Sequence, residues 1–204
     1  MKRFLTFALC GLMIFTSCGN MSNLGKGSLI GTGAGAALGA GVGALIGNKM
    51  DKKAAEMAAL EGAQVEIVKD INGLDAIKVT FDSGILFATN KSNLGAEAQK
   101  NLAKFADVLK TYDDADVAIY GHTDNTGKLE VNQRISKERA DAVANFLKSK
   151  GVAESQIKEV KGFDYQQPVA DNSTAEGRAQ NRRVEVFLFA SDEMREAAEA
   201  GTLE

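Results

Sequence analysis

A chain of 204 residues has room for one ordinary domain with appended segments. Its formal net charge of −3, and the lack of a basic patch interleaved with aromatic residues, argue against a nucleic-acid partner bound through phosphates. Both cysteines, Cys10 and Cys18, lie in the N-terminal apolar region, so the rest of the chain has no cysteine for a disulfide or a thiolate site.

The N-terminal residues 1–17 are typical of a secretory signal peptide. Lys2 and Arg3 precede a short apolar core, and small residues precede Cys18. The core is too short for a stable membrane anchor. Its ending resembles the lipobox of bacterial lipoproteins, which implies that Cys18 carries acyl chains such as palmitate and becomes the N-terminus of a tether over residues 18–26. The alternative is an ordinary cleaved signal peptide with an incidental cysteine.

Residues 27–48 form an uncharged segment in which every fourth residue is glycine. As a helix, this segment would be about 33 Å long and would present a glycine stripe against which another helix could pack closely. It resembles the glycine-zipper segments of bacterial envelope proteins, and we expect it to associate with a membrane and with itself. A flexible glycine/alanine spacer is the alternative. Because the segment has no ionisable residue, an ion-driven stator is not expected. The repeat comprises Gly27, Gly31, Gly35, Gly39, Gly43 and Gly47.

The remaining chain predicts an α+β fold, a two-layer α/β sandwich with helices on one face of a mixed four- to five-stranded sheet. Residues 49–63 favour a connecting helix, and residues 64–190 favour the folded domain. Residues 191–204 favour a polar tail that is a solvated helix or a frayed end. Asn72-Gly73 between two β-branched runs predicts a hairpin. The predicted elements of the domain are strands at 64–70, 75–82, 116–122, 156–161 and 182–189, and helices at 94–112, 129–150 and 175–180.

The most informative stretch, residues 120–139, reads YGHTDNTGKLEVNQRISKER. It places Asp124 on a glycine-bounded loop and Arg139 on a helix row that is otherwise mostly apolar. A planar guanidinium can grip a carboxylate with two hydrogen bonds, and an aspartate can hold an ammonium group. The pair therefore matches a zwitterionic ligand. The alternatives are an internal ion pair of Arg139 with Asp124 or Glu138, and a purely structural turn for Asp124.

Further polar groups surround this pair. Asn132 lies two helical turns before Arg139 and could bond the ligand or the loop backbone. Thr123, Asn125 and Gly127 could offer loop donors. The single histidine, His122, is expected to pack at the strand end, because no nucleophile motif or metal-ligand spacing accompanies it. Three arginines near the last strand are expected to form structural ion pairs, with the first two as candidates for lining the groove: Arg178, Arg182 and Arg183.

From Phe81 onward the chain carries an ordered set of motifs. These are Gly121-His122-Thr123-Asp124 with Gly127, then Asn132, Ile135-Ser136 and Arg139-Ala140, then Val143, Leu147 and Gly151-Val152, and finally Gly162, Pro168, Asn172, Thr174, Gly177-Arg178 and Asn181-Arg182-Arg183-Val184-Glu185. In this order they resemble the OmpA-like peptidoglycan-associated domain. The resemblance implies a noncovalent grip on the diaminopimelate residue of the cell-wall peptide. Asp164 departs from the pattern, because many members have glycine there.

Together these features predict an envelope lipoprotein that binds peptidoglycan and tethers an outer membrane, facing the periplasm. We expect no cofactor, no metal and no catalysis. Two other functions compete with this one. One is a structural oligomer assembled by the glycine repeat, and the other is a wall hydrolase acting through Asp124 and His122, for which no second carboxylate or nucleophile is evident.

Overall fold

The computed structural model describes residues 40–88 and 90–203. The expectations for residues 1–39, namely the signal peptide, acylated Cys18, the tether and most of the glycine repeat, lie outside the described residues. In chain order the elements are α1 (Ala40–Ala58), β1 (Ala63–Lys69), β2 (Asp75–Asp82), α2 (Ser83–Leu86), α3 (Ala96–Lys110), β3 (Ala115–Gly121), α4 (Leu129–Ser149), a 3-10 turn (Glu154–Gln156), β4 (Ile157–Gly162), α5 (Ala175–Asn181), β5 (Arg183–Ala190) and α6 (Asp192–Glu199).

The five strands form one mixed sheet in the order β1-β2-β5-β3-β4. Neighbouring strands are antiparallel except for β3 and β4, which α4 connects and which are parallel. The main core combines the helices with one face of the sheet, while the other face carries a small cluster around Tyr120 and Phe187. The predicted α+β sandwich with a mixed sheet is confirmed.

The predicted hairpin joins β1 to β2. Gly73 adopts a φ of +77°, and the carboxylate of Asp70 accepts hydrogen bonds from the backbone N–H groups of Asn72 and Leu74, each at 2.8 Å. Glycine is favoured at such a position because it has no Cβ to clash. This turn marks the end of the sheet where β2 begins.

The opposite end of the sheet gathers the polar loops. Val184 in β5 pairs with Phe81 near the end of β2 and with Gly121 at the end of β3. The residues that follow β2 and β3, and those that precede β5, must therefore meet at this edge. Asp124 follows β3 and Arg182 precedes β5, so the topology brings two of the candidate residues together.

Helix α1 differs from the predicted division of the N-terminal region. The expected boundary between the glycine-rich segment and the connecting helix, at residues 48 and 49, falls inside one continuous helix. The reason is tertiary packing, because one face of α1 completes the core of the domain. The buried residues on that face are Ile46, Met50, Lys53, Ala54 and Met57.

A buried ion pair fixes α1 to the sheet. The ammonium group of Lys53, whose side chain is only 1% exposed, lies 2.6 Å from the carboxylate of Asp114, and Lys49 contacts the other oxygen at 2.8 Å. Burial lowers the pKa of Lys53, although the hydrogen bond and charge of Asp114 oppose this effect. The folded domain therefore extends upstream of the predicted residue 64 to include this part of α1.

The C-terminal tail contains a helix, one of the two expected alternatives, but the expectation that it is solvated is wrong for one of its faces. Helix α6 buries Met194 and Ala198 and packs against α1, because these two residues form an apolar stripe at i,i+4 spacing. Ser191 caps the helix by accepting a hydrogen bond from the backbone N–H of Met194. Among the described residues, no helix has both the length and the apolar character needed to cross a bilayer.

Candidate functional site

A cavity of about 810 Å³ opens at the polar end of the sheet, between α4 and the segments around α2 and α5. Most of the residues predicted to bind a ligand lie on its wall. Its lining comprises Ser83, Gly84, Phe87, Ala88, Asn90, Thr123, Asp124, Thr126, Gly127, Val131, Asn132, Arg134, Ile135, Arg139, Arg178 and Arg182.

Asp124 is buried at the start of the loop that follows β3. One carboxylate oxygen accepts the backbone N–H of Thr126 at 2.8 Å, and the other lies 2.6 Å from a guanidinium nitrogen of Arg182. Burial alone would raise the pKa of Asp124, but Arg182 and Thr126 together hold it below its ordinary value. The group is therefore a carboxylate at neutral pH. Because a carboxylate offers about four acceptor positions, it can still take an ammonium group.

Arg139 lies on α4 and faces the same cavity, with only 5% of its surface exposed. Its Nε donates a hydrogen bond to the backbone carbonyl of Lys91 at 3.1 Å, and its guanidinium lies over the Phe87 ring, 5.2 Å from the ring centre. These two contacts fix the plane of the group. Its two Nη atoms make no hydrogen bond to another described residue, so the forked end is available to a ligand carboxylate.

The structure does not favour the alternative of an internal ion pair. Within the described residues, neither Asp124 nor Glu138 lies within 4.0 Å of the Arg139 guanidinium. Asp124 pairs with Arg182, and Glu138 pairs with Arg134 at 2.8 Å. Burial lowers the pKa of Arg139, the charge of Arg182 lowers it further, and Asp124 only partly compensates. A ligand carboxylate would relieve this unfavourable environment.

The other candidate residues differ in their placement. Asn132 lines the cavity and donates a hydrogen bond to the backbone carbonyl of Thr126 at 3.0 Å, so it holds the loop. Gly127 also lines the cavity, with a φ of +87° that favours glycine. Thr123 is buried on the cavity wall, and its hydroxyl has no partner within the described chain. Asn125 is exposed and lies outside the lining, where its backbone N–H contacts Asn172.

Two glycines allow α4 to approach the ends of β3 and β4 at backbone distance. A Cβ on Gly121 would lie 2.1 Å from the carbonyl oxygen of Ser136, and a Cβ on Gly162 would lie 2.5 Å from the backbone nitrogen of Lys137. Ser136 and Lys137 immediately precede the turn of α4 that carries Arg139. These glycines therefore set the separation between Arg139 on α4 and Asp124 beyond β3.

Asp164, which departs from the family pattern, has a φ of +43°. Aspartate is one of the few residues other than glycine that tolerate this left-handed region. Its carbonyl accepts the backbone N–H of Thr123 at 2.8 Å, and its own N–H donates to the Ser136 hydroxyl at 3.2 Å. The substitution thus keeps the backbone conformation that the loop needs.

His122 does not line the cavity. Its ring is buried and stacks on Phe163, with 5.7 Å between ring centres. Its Nε2 lies 3.4 Å from a carboxylate oxygen of Glu185, which Arg183 contacts at 2.8 Å. Burial lowers the pKa of His122, so it is neutral at pH 7. The geometry is that of a packing residue. Within residues 40–88 and 90–203, no cluster of His, Asp and Glu side chains has metal-ligand spacing.

The buried contacts among His122, Arg183 and Glu185 predict that acid destabilises the fold. Burial would raise the pKa of Glu185, but His122 and Arg183 lower it to about 2. Its stabilising contribution is therefore complete above the unfolded pKa of about 4.3 and is lost as the pH falls toward 2, which amounts to about 3 kcal/mol. The depressed pKa of His122 acts in the same direction below about pH 6.5.

Urea titrations at several pH values test this prediction. Glu185→Gln should flatten the fall in the free energy of unfolding between about pH 5 and pH 2.5. Glu66→Gln is the matched control, because the Glu66 side chain is 58% exposed and its ion pair with Lys78 contributes little. An equally steep fall in the Glu185→Gln variant would contradict the assignment.

The sequence signals alone missed several groups in this site. Three contacts depend on which loops the topology brings together. They are the ion pair between Arg182 and Asp124, the hydrogen bond from Arg139 to the Lys91 carbonyl, and the contact of Arg139 with the Phe87 ring. Ser83 also lines the cavity, although nothing in the local sequence marks it. The motif Asn181-Arg182-Arg183 was the one available signal for Arg182.

Comparisons with known proteins agree with this architecture. The model of the OmpA family matches residues 86–182, and that of the YMGG-like Gly-zipper matches residues 1–66. The outer-membrane lipoprotein YfiB of Pseudomonas aeruginosa is 39% identical over 106 residues, which cover 52% of this chain and 62% of YfiB. The peptidoglycan-binding protein ArfA of Mycobacterium tuberculosis is 41% identical over 113 residues, covering 55% of this chain and 34% of ArfA.

A solved structure matches a larger share of the chain. The cell wall anchor of the T6SS from Pseudomonas aeruginosa superposes with a TM-score of 0.58 and 31% identity, covering 70% of this chain and 97% of that one. The chain spans from 31% to 64% of the length of the curated relatives it matches.

Proposed function

Because this chain belongs to the OmpA family and carries a Gly-zipper region at its N-terminal end, we propose that it is an envelope lipoprotein that binds peptidoglycan noncovalently. In this proposal the folded domain recognises the diaminopimelate residue of the wall peptide. The acylated Cys18 and the glycine-rich segment hold the protein to the outer membrane, with the domain facing the periplasm. The domain acts by binding and performs no catalysis.

The observation that carries the proposal is a buried cation and a buried anion that line one cavity without pairing with each other. The free end of diaminopimelate bears an ammonium and a carboxylate on the same carbon. The Nη atoms of Arg139 suit the carboxylate, and the remaining acceptor positions of Asp124 suit the ammonium. Phe87 and the Lys91 carbonyl hold the guanidinium in place before the ligand arrives, which limits the entropy lost on binding.

The placement of α1 supports a role that joins two structures. Gly47 lies close to Asp75 at the start of β2, and Lys53 pairs with Asp114 just before β3. Both contacts are at the end of the sheet opposite the cavity. The chain thus enters the domain from the N-terminal side at one end and binds its ligand at the other, as a tether between a membrane and the wall requires.

A sedimentation assay with purified sacculi tests this function. The full chain in detergent should sediment with sacculi, while the double variant Asp124→Ala, Arg139→Ala should remain in the supernatant. Arg134→Gln is the control, because Arg134 lies on the cavity rim and is 60% exposed. If the double variant still sediments with the sacculi, Asp124 and Arg139 do not form the binding site. Release of soluble wall fragments by the wild-type chain would instead favour a hydrolase.

We also propose that the glycine repeat assembles the chain into homo-oligomers. In the described part of α1, a Cβ on Gly43 would meet no atom within 4 Å, so the stripe is open to a second helix at this position, whereas Gly47 packs against Asp75 of the domain. Replacing Gly35 and Gly39 by leucine should abolish crosslinked multimers in membranes. Multimers that persist in this variant would show that the repeat does not assemble them.

A further inference from the structure

The cavity carries more positive charge than a zwitterionic head group needs. Among the described residues that line it, one is acidic and four are arginines: Asp124, Arg134, Arg139, Arg178 and Arg182. Arg182 is paired with Asp124, and Arg134 is paired with Glu138 outside the lining. Arg139 and Arg178 have no carboxylate within 4.0 Å in the described chain. Once Arg139 binds the carboxylate of diaminopimelate, Arg178 still lacks an anion.

Two backbone carbonyls of the loop before α5 hold the side chain of Arg178 in position. One Nη atom donates hydrogen bonds to the carbonyls of Asn172 at 2.9 Å and Ser173 at 3.1 Å. Its other nitrogens make no hydrogen bond to a described residue. Gly177, the preceding residue, packs so tightly that a Cβ there would lie 1.9 Å from the Asp171 carbonyl oxygen. The guanidinium is therefore anchored on one side and has donors free on the other.

A second, independent observation supports a polar ligand at this wall. The hydroxyls of Ser83 and Thr123 are buried on the cavity wall and have no hydrogen-bond partner within the described chain. Ser83 is only 2% exposed and Thr123 only 6%. A buried hydroxyl without a partner is unfavourable, and such groups are usually satisfied by water, an ion or a ligand.

The size of the cavity agrees with a ligand larger than one head group. Its volume of about 810 Å³ is near the upper part of the range found for pockets that enclose drug-sized molecules. In a wall peptide, diaminopimelate is flanked by a γ-linked D-glutamate and a D-alanine. Each of these neighbours can present a free carboxylate close to the diaminopimelate head group.

We propose that Arg178 binds a second carboxylate of the wall peptide, one residue away from diaminopimelate, and that the Ser83 hydroxyl donates a hydrogen bond to the same peptide. This inference rests on the proposed function and specifies the ligand further. The site selects peptides with two free carboxylates and one ammonium, so amidation of the wall peptide controls its affinity. The second carboxylate is the α-carboxylate of the D-glutamate or the terminal carboxylate of the D-alanine.

Calorimetric titration of the full chain in detergent distinguishes the two sources. The probes are the tetrapeptide L-Ala-γ-D-Glu-diaminopimelate-D-Ala, the same peptide amidated at the glutamate α-carboxylate, and the peptide amidated at the terminal D-alanine. The wild-type chain should bind one amidated peptide about tenfold more weakly than the parent. The amidation that lowers the affinity identifies the carboxylate that Arg178 binds.

Variants then assign the effect to Arg178. Arg178→Gln should bind the parent peptide about tenfold more weakly than the wild type and no longer discriminate against the amidated one. Arg178→Lys keeps the charge and should keep most of the discrimination, which controls for damage to the 172–173 loop. Ser83→Ala should weaken all three peptides by a similar factor, with an unchanged unfolding temperature.

The outcomes separate this inference from the proposed function. If the wild type binds all three peptides equally, or if Arg178→Gln still discriminates, the second subsite is wrong while wall binding stands. If Ser83→Ala binds like the wild type, the role of this hydroxyl is wrong. If the wild type binds none of the peptides, both proposals fail.

Discussion

Replacing Arg139 by glutamine should weaken the binding of a diaminopimelate peptide by roughly 100-fold. Truncating one partner of a buried, hydrogen-bonded charge pair costs about 3 kcal/mol, which corresponds to this factor. Glutamine is shorter and uncharged, so it can neither fork onto the ligand carboxylate nor lie over Phe87 with a positive charge. Calorimetric titration or fluorescence anisotropy with a labelled peptide measures the change.

Asp124→Asn should produce a loss of similar size, because the amide cannot balance the ligand ammonium. It also leaves Arg182 without its ion pair, so the cavity becomes more positive. Arg134→Gln is matched in chemistry to Arg139→Gln and lies on the same helix. Since Arg134 is 60% exposed and pairs with Glu138 at the surface, we expect its affinity to change by less than about threefold. Equal losses of peptide affinity in Arg134→Gln and Arg139→Gln would mean that binding depends only on the total charge of the cavity.

Gly121→Ala should have the largest effect on stability. The added Cβ would lie 2.1 Å from a backbone oxygen of α4, so the helix and the strand must separate. Overpacking of this kind costs roughly 3 kcal/mol, and in a chain of this size the unfolding temperature should fall by about 6–12 °C. The same displacement moves Arg139 away from Asp124, so the remaining folded protein should bind the peptide more weakly.

Gly43→Ala controls for the substitution itself. A Cβ on Gly43 would meet no atom within 4 Å, and the residue lies inside α1. Alanine is favoured over glycine in a helix interior, so this variant should be more stable by about 0.5–1 kcal/mol. If Gly121→Ala unfolds at the wild-type temperature, the close approach of α4 to β3 is not what fixes the geometry of the cavity.

The elements with strong local signals were predictable from the sequence. Asn72-Gly73 between two β-branched segments indicated the hairpin. The helical spacing of apolar residues within 129–150 indicated α4, which ends at Ser149. The sequence divided α1 incorrectly because the change from glycine-rich to charged composition at residue 48 resembles a boundary. The buried face of α1 crosses that point, and only the presence of the sheet beneath it makes the helix continuous.

The candidate site was predictable where the residues follow a motif and unpredictable where they depend on distant loops. Asp124, Arg139, Asn132, Thr123 and Gly127 line one cavity, whereas Asn125 does not. Their roles as ligand contacts stay predictions. The pairing of Asp124 with Arg182 joins residues 58 positions apart, and the hydrogen bond from Arg139 uses a backbone carbonyl, which no side-chain pattern reveals.

The unpaired state of Arg139 distinguishes a binding site from a structural ion pair. A guanidinium that served stability alone would be expected to pair with the nearest carboxylate, because an unpaired buried charge is unfavourable. Here the two acids that the sequence offered as internal partners, Asp124 and Glu138, are each engaged by another arginine. The cavity therefore keeps the Arg139 guanidinium in place for an anion that the described chain does not supply.

The central claim is that this cavity recognises an ammonium and a carboxylate carried by one carbon atom. Comparing the affinity of the full chain for two wall peptides, identical except for diaminopimelate or lysine at the third position, tests it most directly. Lysine keeps the ammonium and lacks the carboxylate, so we predict binding at least about 100-fold weaker than that of the diaminopimelate peptide. Equal affinity for the two peptides would contradict the claim.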